Sequence, residues 1–259
     1  MTPVPSNDRF DVSGKVVVIT GATKGLGRAF AFGLADAGAK VVVSSRKQDL
    51  CTATAAEITD KTGAQTLGLA CHVGQWDAIP QFVGAVQERF GRIDGLINNA
   101  GISPAFVDLV DMTSEYWDKV FSTNLKGPLR LAALVAPIMR DGGGGSIINI
   151  SSVGGYRGAP RNSHYSASKA ALVSLTQSMA AEWAAWNVRA NVVSPGPFLT
   201  TLLEGMGRNT PGGLEVVAGA TLLGRVADPD EAVGLIQFLL SDASAFITGA
   251  DHEISGGRR

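Results

Sequence analysis

Apolar positions along this chain follow two rhythms that alternate from end to end. Short runs of consecutive apolar, largely β-branched residues bounded by Gly or polar positions predict buried strands. They fall at 15–20 (KVVVIT), 40–45 (KVVVSS), 65–73 (QTLGLACHV), 93–101 (IDGLINNAG), 145–152 (GSIINISS) and 188–196 (VRANVVSPG), with a short last one near 251–255. Between them, apolar residues three and four apart predict helices at 26–38, 48–63, 76–91, around 115–140, about 163–186 and at 230–242, the first closing on Gly38. Strands that are apolar on both faces and alternate with helices imply a parallel sheet covered on both sides. The expected architecture is α/β, doubly wound, with about seven parallel strands and no linker or internal repeat.

Composition narrows the picture. The 259 residues are 45% apolar and 17% charged, with a net charge of -1, which suits one compact unit. Near-neutral charge gives no footprint for nucleic acid or an anionic membrane surface. The longest lipophilic run, 129–139, is interrupted by Arg130 and Pro137 and falls short of the roughly 20 residues that span a bilayer. The opening MTPVPSNDRF has no signal-peptide core, so residues 1–10 read as a flexible lead-in and residues 11–259 as the single domain. Cys51 and Cys71 are too few for a disulfide framework, and His72, His164 and His252 lack metal-ligand spacing. A cytoplasmic protein with no metal, membrane or nucleic-acid partner is expected. The 32 glycines matter through their placement at the ends of apolar runs, with one cluster at 141–145 (DGGGG) reading as a flexible connection.

In doubly wound sheets, ligands bind beyond the carboxyl ends of the strands. The first such turn, TGATKGLG (20–27), has Gly21, Gly25 and Gly27 spaced Gly-x-x-x-Gly-x-Gly. Glycines there let backbone approach a pyrophosphate while the following helix offers free N–H groups, which makes a dinucleotide-binding Rossmann fold the specific expectation. After the second strand stand Ser45 and Arg46 where an acidic residue would hold a ribose 2′-hydroxyl, and Lys24 lies in the first turn. Two cations able to flank a 2′-phosphate favour NADP(H) over NAD(H). On the helix beginning near 163, Tyr165 and Lys169 stand four apart and share one face. A phenol of ordinary pKa about 10 is a poor acid–base group at neutral pH, and a nearby ammonium lowers it. Such a pair can act as a tuned proton donor.

Together these motifs resemble the short-chain dehydrogenase/reductase family, in its branch of about 250 residues, over nearly the whole chain. TGATKGLG resembles the phosphate-binding turn, NNAG (98–101) the strand-four motif, Asn124 in STNLKG the helix Asn, and NISS (149–152), YSASK (165–169) and SPGPFLT (194–200) complete the set in order. The resemblance implies a catalytic tetrad. Tyr165 is the general acid or base, Lys169 lowers its pKa and binds the nicotinamide ribose, Ser152 holds the substrate oxygen, and Asn124 holds a water leading from Lys169 to solvent. It further implies cofactor contacts from Gly21, Thr23, Lys24, Gly25, Leu26 and Gly27, from Ser45 and Arg46, and from Asn99, Ala100 and Gly101 around the adenosine ribose. Tyr165, Lys169, Pro195, Gly196, Phe198 and Thr200 complete that surface, the last two lining the carboxamide. Where the family has Asp and an apolar residue after strand three, with the Asp binding the adenine amine, this chain has His72 and Val73. A His can hydrogen-bond that amine; it can also be a strand-end residue without a ligand. SGG (255–257) stands where DGG is common.

The segment at about 198–223 is expected to form a substrate lid, with Phe198, Leu199, Leu202, Leu203, Met206, Val216, Val217, Leu222 and Leu223 suiting an uncharged ketone or secondary alcohol. Arg157 and Arg161 stand between Ser152 and Tyr165, where they could meet a carboxylate or a carrier phosphate. His164 reads as a bystander, and Ser151, alternating to the other strand face, has no assigned catalysis. Helix 167–183 is small or apolar nearly all round, which together with the resemblance implies a homotetramer or homodimer. The leading expectation is hydride transfer between NADP(H) and a ketone or secondary alcohol. A 3-oxoacyl-thioester reductase, an NAD-dependent sugar or alcohol dehydrogenase, and a non-enzymatic dinucleotide sensor are the alternatives.

Overall fold

Strand alternation explains the layering. In the computed structural model the described residues are 8–200, 203 and 213–257. Strand β1 (Val16–Thr20) sends Val17 and Ile19 to one face of the sheet and Val16 and Val18 to the other, and both sets are buried. The same alternation holds in β2 (Lys40–Ser45), with Val41 and Val43 opposed to Val42. This is why the strands read as continuous apolar runs instead of alternating ones.

With β3 (Thr66–Ala70), β4 (Gly95–Asn98), β5 (Gly145–Ile150), β6 (Val188–Pro195) and β7 (Asp251–Ile254), the strands form one parallel sheet in the order β3-β2-β1-β4-β5-β6-β7. On one face pack α1 (Gly25–Asp36), α2 (Gln48–Thr62) and a late helix through Phe30, Leu34, Ile58, Ile236 and Leu239. On the other lie α3 (Ile79–Phe90) and two long helices, through Phe82, Val86, Leu131, Val135, Met179 and Trp183. Full burial of each such side chain stabilises the fold by about 1.5–3 kcal/mol. Helices α2 and α3 end on Gly63 and Gly91, both left-handed at φ 73° and 72°, a conformation that costs glycine nothing.

Three expectations shift. The helix expected around 115–140 is α4 (Ser114–Phe121), a π-helical segment at Ser122–Lys126, then α5 (Gly127–Asp141). Pro128 has no N–H to return to the carbonyl of Asn124, so a regular α-helical ladder cannot run through this point. A Cβ at Gly127 would stand 2.5 Å from the carbonyl of Val73, so only glycine lets the helix approach the strand-three loop. Strand β3 ends at Ala70, leaving Cys71, His72 and Val73 in the loop beyond it. Residues 1–7 lie outside the described residues, but Asp8–Phe10 of the expected lead-in form a 3₁₀ turn. Phe10 packs on Phe238 at 6.1 Å between ring centres, and its carbonyl accepts from the Gln237 side chain at 3.1 Å.

The remaining helices are α6 (Ser163–Trp183), α7 (Gly213–Gly219) and α8 (Val233–Leu240), the last preceded by a 3₁₀ turn with a capping box between Asp228 and Glu231.

Candidate active site

The carboxyl ends of the strands open into a cleft of about 1080 Å³. At its centre is the turn after β1. Gly21 and Gly25 adopt φ 66° and 53°, and a Cβ on buried Gly27 would stand 2.5 Å from the carbonyl of Gly21. The three glycines therefore fold the turn tightly against α1. Lys24, at the N-cap, makes no side-chain cap, and the first turn of α1 has no acidic residue. The first amides of the helix are thus free of side-chain caps, the arrangement that binds anions. The turn is held from β4: Asn99 and Ala100 donate their N–H groups to Thr20 Oγ1 at 3.1 and 3.0 Å, and Asn99 Nδ2 donates to the carbonyl of Thr20 at 2.9 Å. The Asn99 side chain is engaged with the turn.

At the β2 and β3 side, Lys24, Ser45, Arg46, Lys47 and His72 line the cleft. Ser45 is held by Cys51, whose Sγ accepts from the Ser45 N–H at 3.1 Å and lies 3.3 Å from its hydroxyl. His72 Nδ1 accepts from the Gly74 N–H at 3.2 Å.

At the β5 and β6 side stand Ser152, Tyr165 and Lys169. Lys169 is buried, its Nζ donates to the carbonyl of Ile150 at 2.7 Å, and its own carbonyl accepts from Ser151 Oγ at 2.9 Å. Burial pushes the ammonium down to about 8. Its Nζ is 5.8 Å from the centre of the Tyr165 ring. For Tyr165 burial dominates and raises the phenol, while a hydrogen bond to Ser152 works the other way. The Lys169 ammonium is turned to the carbonyl of Ile150. Ser152 Oγ also accepts from the Gly154 N–H at 3.1 Å.

Asn124 is fully buried in the π segment and does not line the cleft. Its Oδ1 accepts from the Ile102 N–H at 2.9 Å, and its Nδ2 donates to the Ile102 carbonyl at 3.0 Å and to Ser168 Oγ at 3.1 Å. Ser168 Oγ donates in turn to the carbonyl of Tyr165 at 2.7 Å. The Asn124 side chain thereby splices the loop after β4 to the helix that carries Tyr165. Both its amide hydrogens are engaged.

Of the residues expected at the site, all but Gly27 and Asn124 line this one cleft, including Thr23, Leu26, Val73, Pro195, Gly196, Phe198 and Thr200. The lid falls partly outside the described residues, Leu202 and Met206 among the omitted ones. Leu203 and Val217 line the cleft, Leu199, Val216, Leu222 and Leu223 are exposed, and Phe198 is also packed into the core. Arg157 lines the cleft; Arg161 does not, and its Nε lies 3.5 Å from Asp108. His164 is buried outside the cleft, edge-on to Tyr116 at 5.1 Å.

The sequence pattern of the family described as Enoyl-(Acyl carrier protein) reductase matches residues 21–259. A Caenorhabditis elegans protein named Dehydrogenase/reductase SDR family member 4 is 35% identical over 259 residues, 98% of each chain. The chain belongs to the short-chain dehydrogenase/reductase family. Two solved structures of similar fold are an L-sorbose reductase from Gluconobacter frateurii complexed with NADPH and L-sorbose and an NADPH-dependent 3-quinuclidinone reductase from Rhodotorula Rubra. The first has a TM-score of 0.92 at 30% identity, covering 96% of this chain and 98% of that one. The second has 0.90 at 33%, covering 99% and 97%. As a family member the protein is an oxidoreductase acting on CH–OH and C=O groups.

Several residues of this short-chain dehydrogenase/reductase site escaped the sequence reading. Thr20 and Ser168 hold the site by hydrogen bonds, while buried Asn162 accepts from Ser103 Oγ at 3.1 Å on the cleft wall. Lys47 and Lys119 add two cations. Pro128 was the visible signal for the π segment; Thr20 and Asn162 have partners distant in sequence and give no local pattern.

Proposed function

We propose that the protein transfers a hydride between NADP(H) and a ketone or secondary alcohol, with reduction as its working direction. The observation that carries the reading is the charge of the cleft. Among the described lining residues there are six cations, Lys24, Arg46, Lys47, Lys119, Arg157 and Lys169, and no carboxylate. A dinucleotide with a further 2′-phosphate is strongly anionic, and a wall of one sign concentrates such a ligand. The glycine turn with its uncapped helix start fits the pyrophosphate, and Lys24 and Arg46 fit the 2′-phosphate.

When bound, the nicotinamide supplies or accepts the hydride. The chain's own residues then handle the proton and the charge. The Tyr165 hydroxyl delivers a proton to the developing alkoxide, and Ser152 donates a hydrogen bond to the same oxygen. Burial keeps Tyr165 protonated in the free protein, which is the form that reduction needs. Lys169 carries positive charge at the buried end of the cleft, and Ser151 and Asn124 position the helix that bears it.

The other readings are weaker. A carrier-phosphate site formed by two arginines is not supported, since Arg161 faces Asp108 and only Arg157 reaches the cleft. A sensor has no need of a buried Lys beside a Tyr that lines the cleft. The exposed stripe of small residues on α6, Ala170, Ser174, Ser178 and Ala181, supports a homo-oligomer. The test is a fluorescence titration with NADPH and NADH followed by a ketone screen. Tighter NADPH binding by about tenfold or more is expected; equal or tighter NADH binding would overturn the cofactor assignment.

A further inference from the structure

His164 stands beside Tyr165 but takes no part in the cleft, and the fold gives its ring nothing polar to hold. The side chain is fully buried, and neither ring nitrogen has a hydrogen-bond partner among the described residues. It lies edge-on to Tyr116 of α4, with 5.1 Å between ring centres and 77° between planes. A neutral imidazole tolerates that enclosure far better than an imidazolium, which adds a full charge and a second N–H donor. Burial pushes the ring below its ordinary 6.5, and no neighbouring charge works against it. On α4, Glu115, Asp118 and Lys119 are exposed, as is Lys126 in the π segment. Asp108 and Arg161, on the loops that flank the seam, are each 58% exposed and face one another at 3.5 Å. On α6 itself, Lys169 is turned to Ile150, Tyr165 lines the cleft, and the first turn has no acidic residue. The positive end of that helix further disfavours a cation there.

The seam between α4 and α6 fixes two parts of the site. The Tyr116 hydroxyl accepts from the Ala105 N–H at 2.6 Å and donates to the Ala105 carbonyl at 3.0 Å. The same loop places Ser103 on the cleft wall, where its Oγ donates to Asn162 Oδ1 at 3.1 Å, and the Val107 N–H donates to the carbonyl of Arg161 at 2.8 Å. Arg161 and Asn162 lead directly into the first turn of α6, which carries Tyr165. We propose that His164 is a proton-operated latch: in acid its ring gains a charge for which the seam has no partner, the seam opens, and both the cleft wall and Tyr165 lose their fixed places. Above pH 6.5 the closed and opened forms both carry a neutral ring, and the latch holds in full. As pH falls below 6.5 the opened form takes the proton first, so closure weakens until the enclosed ring itself charges.

The test is amide hydrogen exchange of the unliganded protein at about pH 7.5 and about pH 5, corrected for the intrinsic rate at each pH, with His164→Phe measured beside the wild type. The Phe ring can keep the edge contact with Tyr116 and cannot be charged. In the wild type, protection of the Ala105 and Val107 amides is expected to fall about tenfold at the lower pH, while the variant holds it. A loss of protection that His164→Phe shares equally, or no loss in either protein, overturns the latch. A variant that leaves these amides unprotected at both pH values has lost the seam itself, and the wild-type ring then decides. Followed by NMR, His164 is expected to stay neutral below pH 6.5 for as long as the amides stay protected. An imidazole that charges near 6.5 with the amides still protected overturns the proposal. No ligand enters the measurement, so its outcome is independent of the cofactor reading.

Discussion

The two halves of the cleft are built on opposite plans. Beyond β5, the functional side chains are buried and already committed: Lys169 to Ile150, Asn124 to Ile102 and Ser168, Ser151 to the backbone of α6. Beyond β2 and β3, Arg46 and Lys47 stand exposed at the cleft edge, and His72 makes a single contact within its own loop. The first half is preorganised, at a cost in desolvation that the fold must offset. On the function proposed above, the second half acquires its partners when an anionic ligand arrives. Chemistry needs fixed atoms and recognition of a mobile phosphate does not, so the division matches the tasks.

This contrast is testable through substitutions that should separate activity, stability and affinity. The largest effect belongs to Tyr165→Phe. Removing the hydroxyl takes away the proton donor and should lower kcat by about 10³-fold, with NADPH affinity nearly unchanged. A variant that keeps its turnover would refute the assignment. Next is Asn124→Ala, which strips partners from the N–H and the carbonyl of half-buried Ile102 and should cost about 2 kcal/mol in urea unfolding. A loss below about 1 kcal/mol would show that water replaces the amide and that this half is less rigid than described.

Lys169→Met probes the desolvation cost directly. The ammonium ordinarily titrates at 10.5 and is pushed down to about 8 in the fold. Below pH 8 both folded and unfolded chains hold the proton, and the full penalty is present. Between about 8 and 10.5 the folded chain releases it first, so stability from this group rises with pH. The shift corresponds to about 3 kcal/mol, less about 1 for the donor lost by the Ile150 carbonyl. The Met variant should therefore be inactive yet more stable than wild type by about 2 kcal/mol at pH 7, with the gap closing toward pH 10. A gap that widens with pH, or a less stable variant at pH 7, would contradict the buried charge.

How far the site could be read in advance also divides along this line. The sheet was legible because both faces of each strand are apolar, and the turns because Gly21, Gly25, Gly63 and Gly91 take conformations that leave a mark on sequence. Lys24 and Arg46 could be singled out by their places after β1 and β2, whereas Lys47 and Lys119 could not. What stayed hidden was connection. That Asn124 ties to Ile102, or that Thr20 anchors Asn99 and Ala100, depends on β4 lying beside β1 and on a π segment opposite α6. The helix around 115–140 read as continuous because its apolar spacing is helical on either side of the break. The missing N–H of Pro128 was the one local clue, and its consequence falls four residues upstream.

The smallest expected effect tests the open half. Arg46→Ala removes an exposed guanidinium and should leave unfolding within about 0.5 kcal/mol of wild type. Its cost should appear in ligand choice alone. One charged hydrogen bond to a 2′-phosphate is worth about 1.5–3 kcal/mol, and discounting for solvent exposure leaves roughly a tenfold weaker Kd for NADPH. NADH, which lacks that phosphate, should bind as before, and rising salt should shrink the difference because the pair is screened. Measured side by side with Asn124→Ala, the two variants form a crossed pair: one loses stability, the other only discrimination. If Arg46→Ala weakens both dinucleotides equally, the guanidinium acts as general cleft charge, and the 2′-phosphate assignment passes to Lys24.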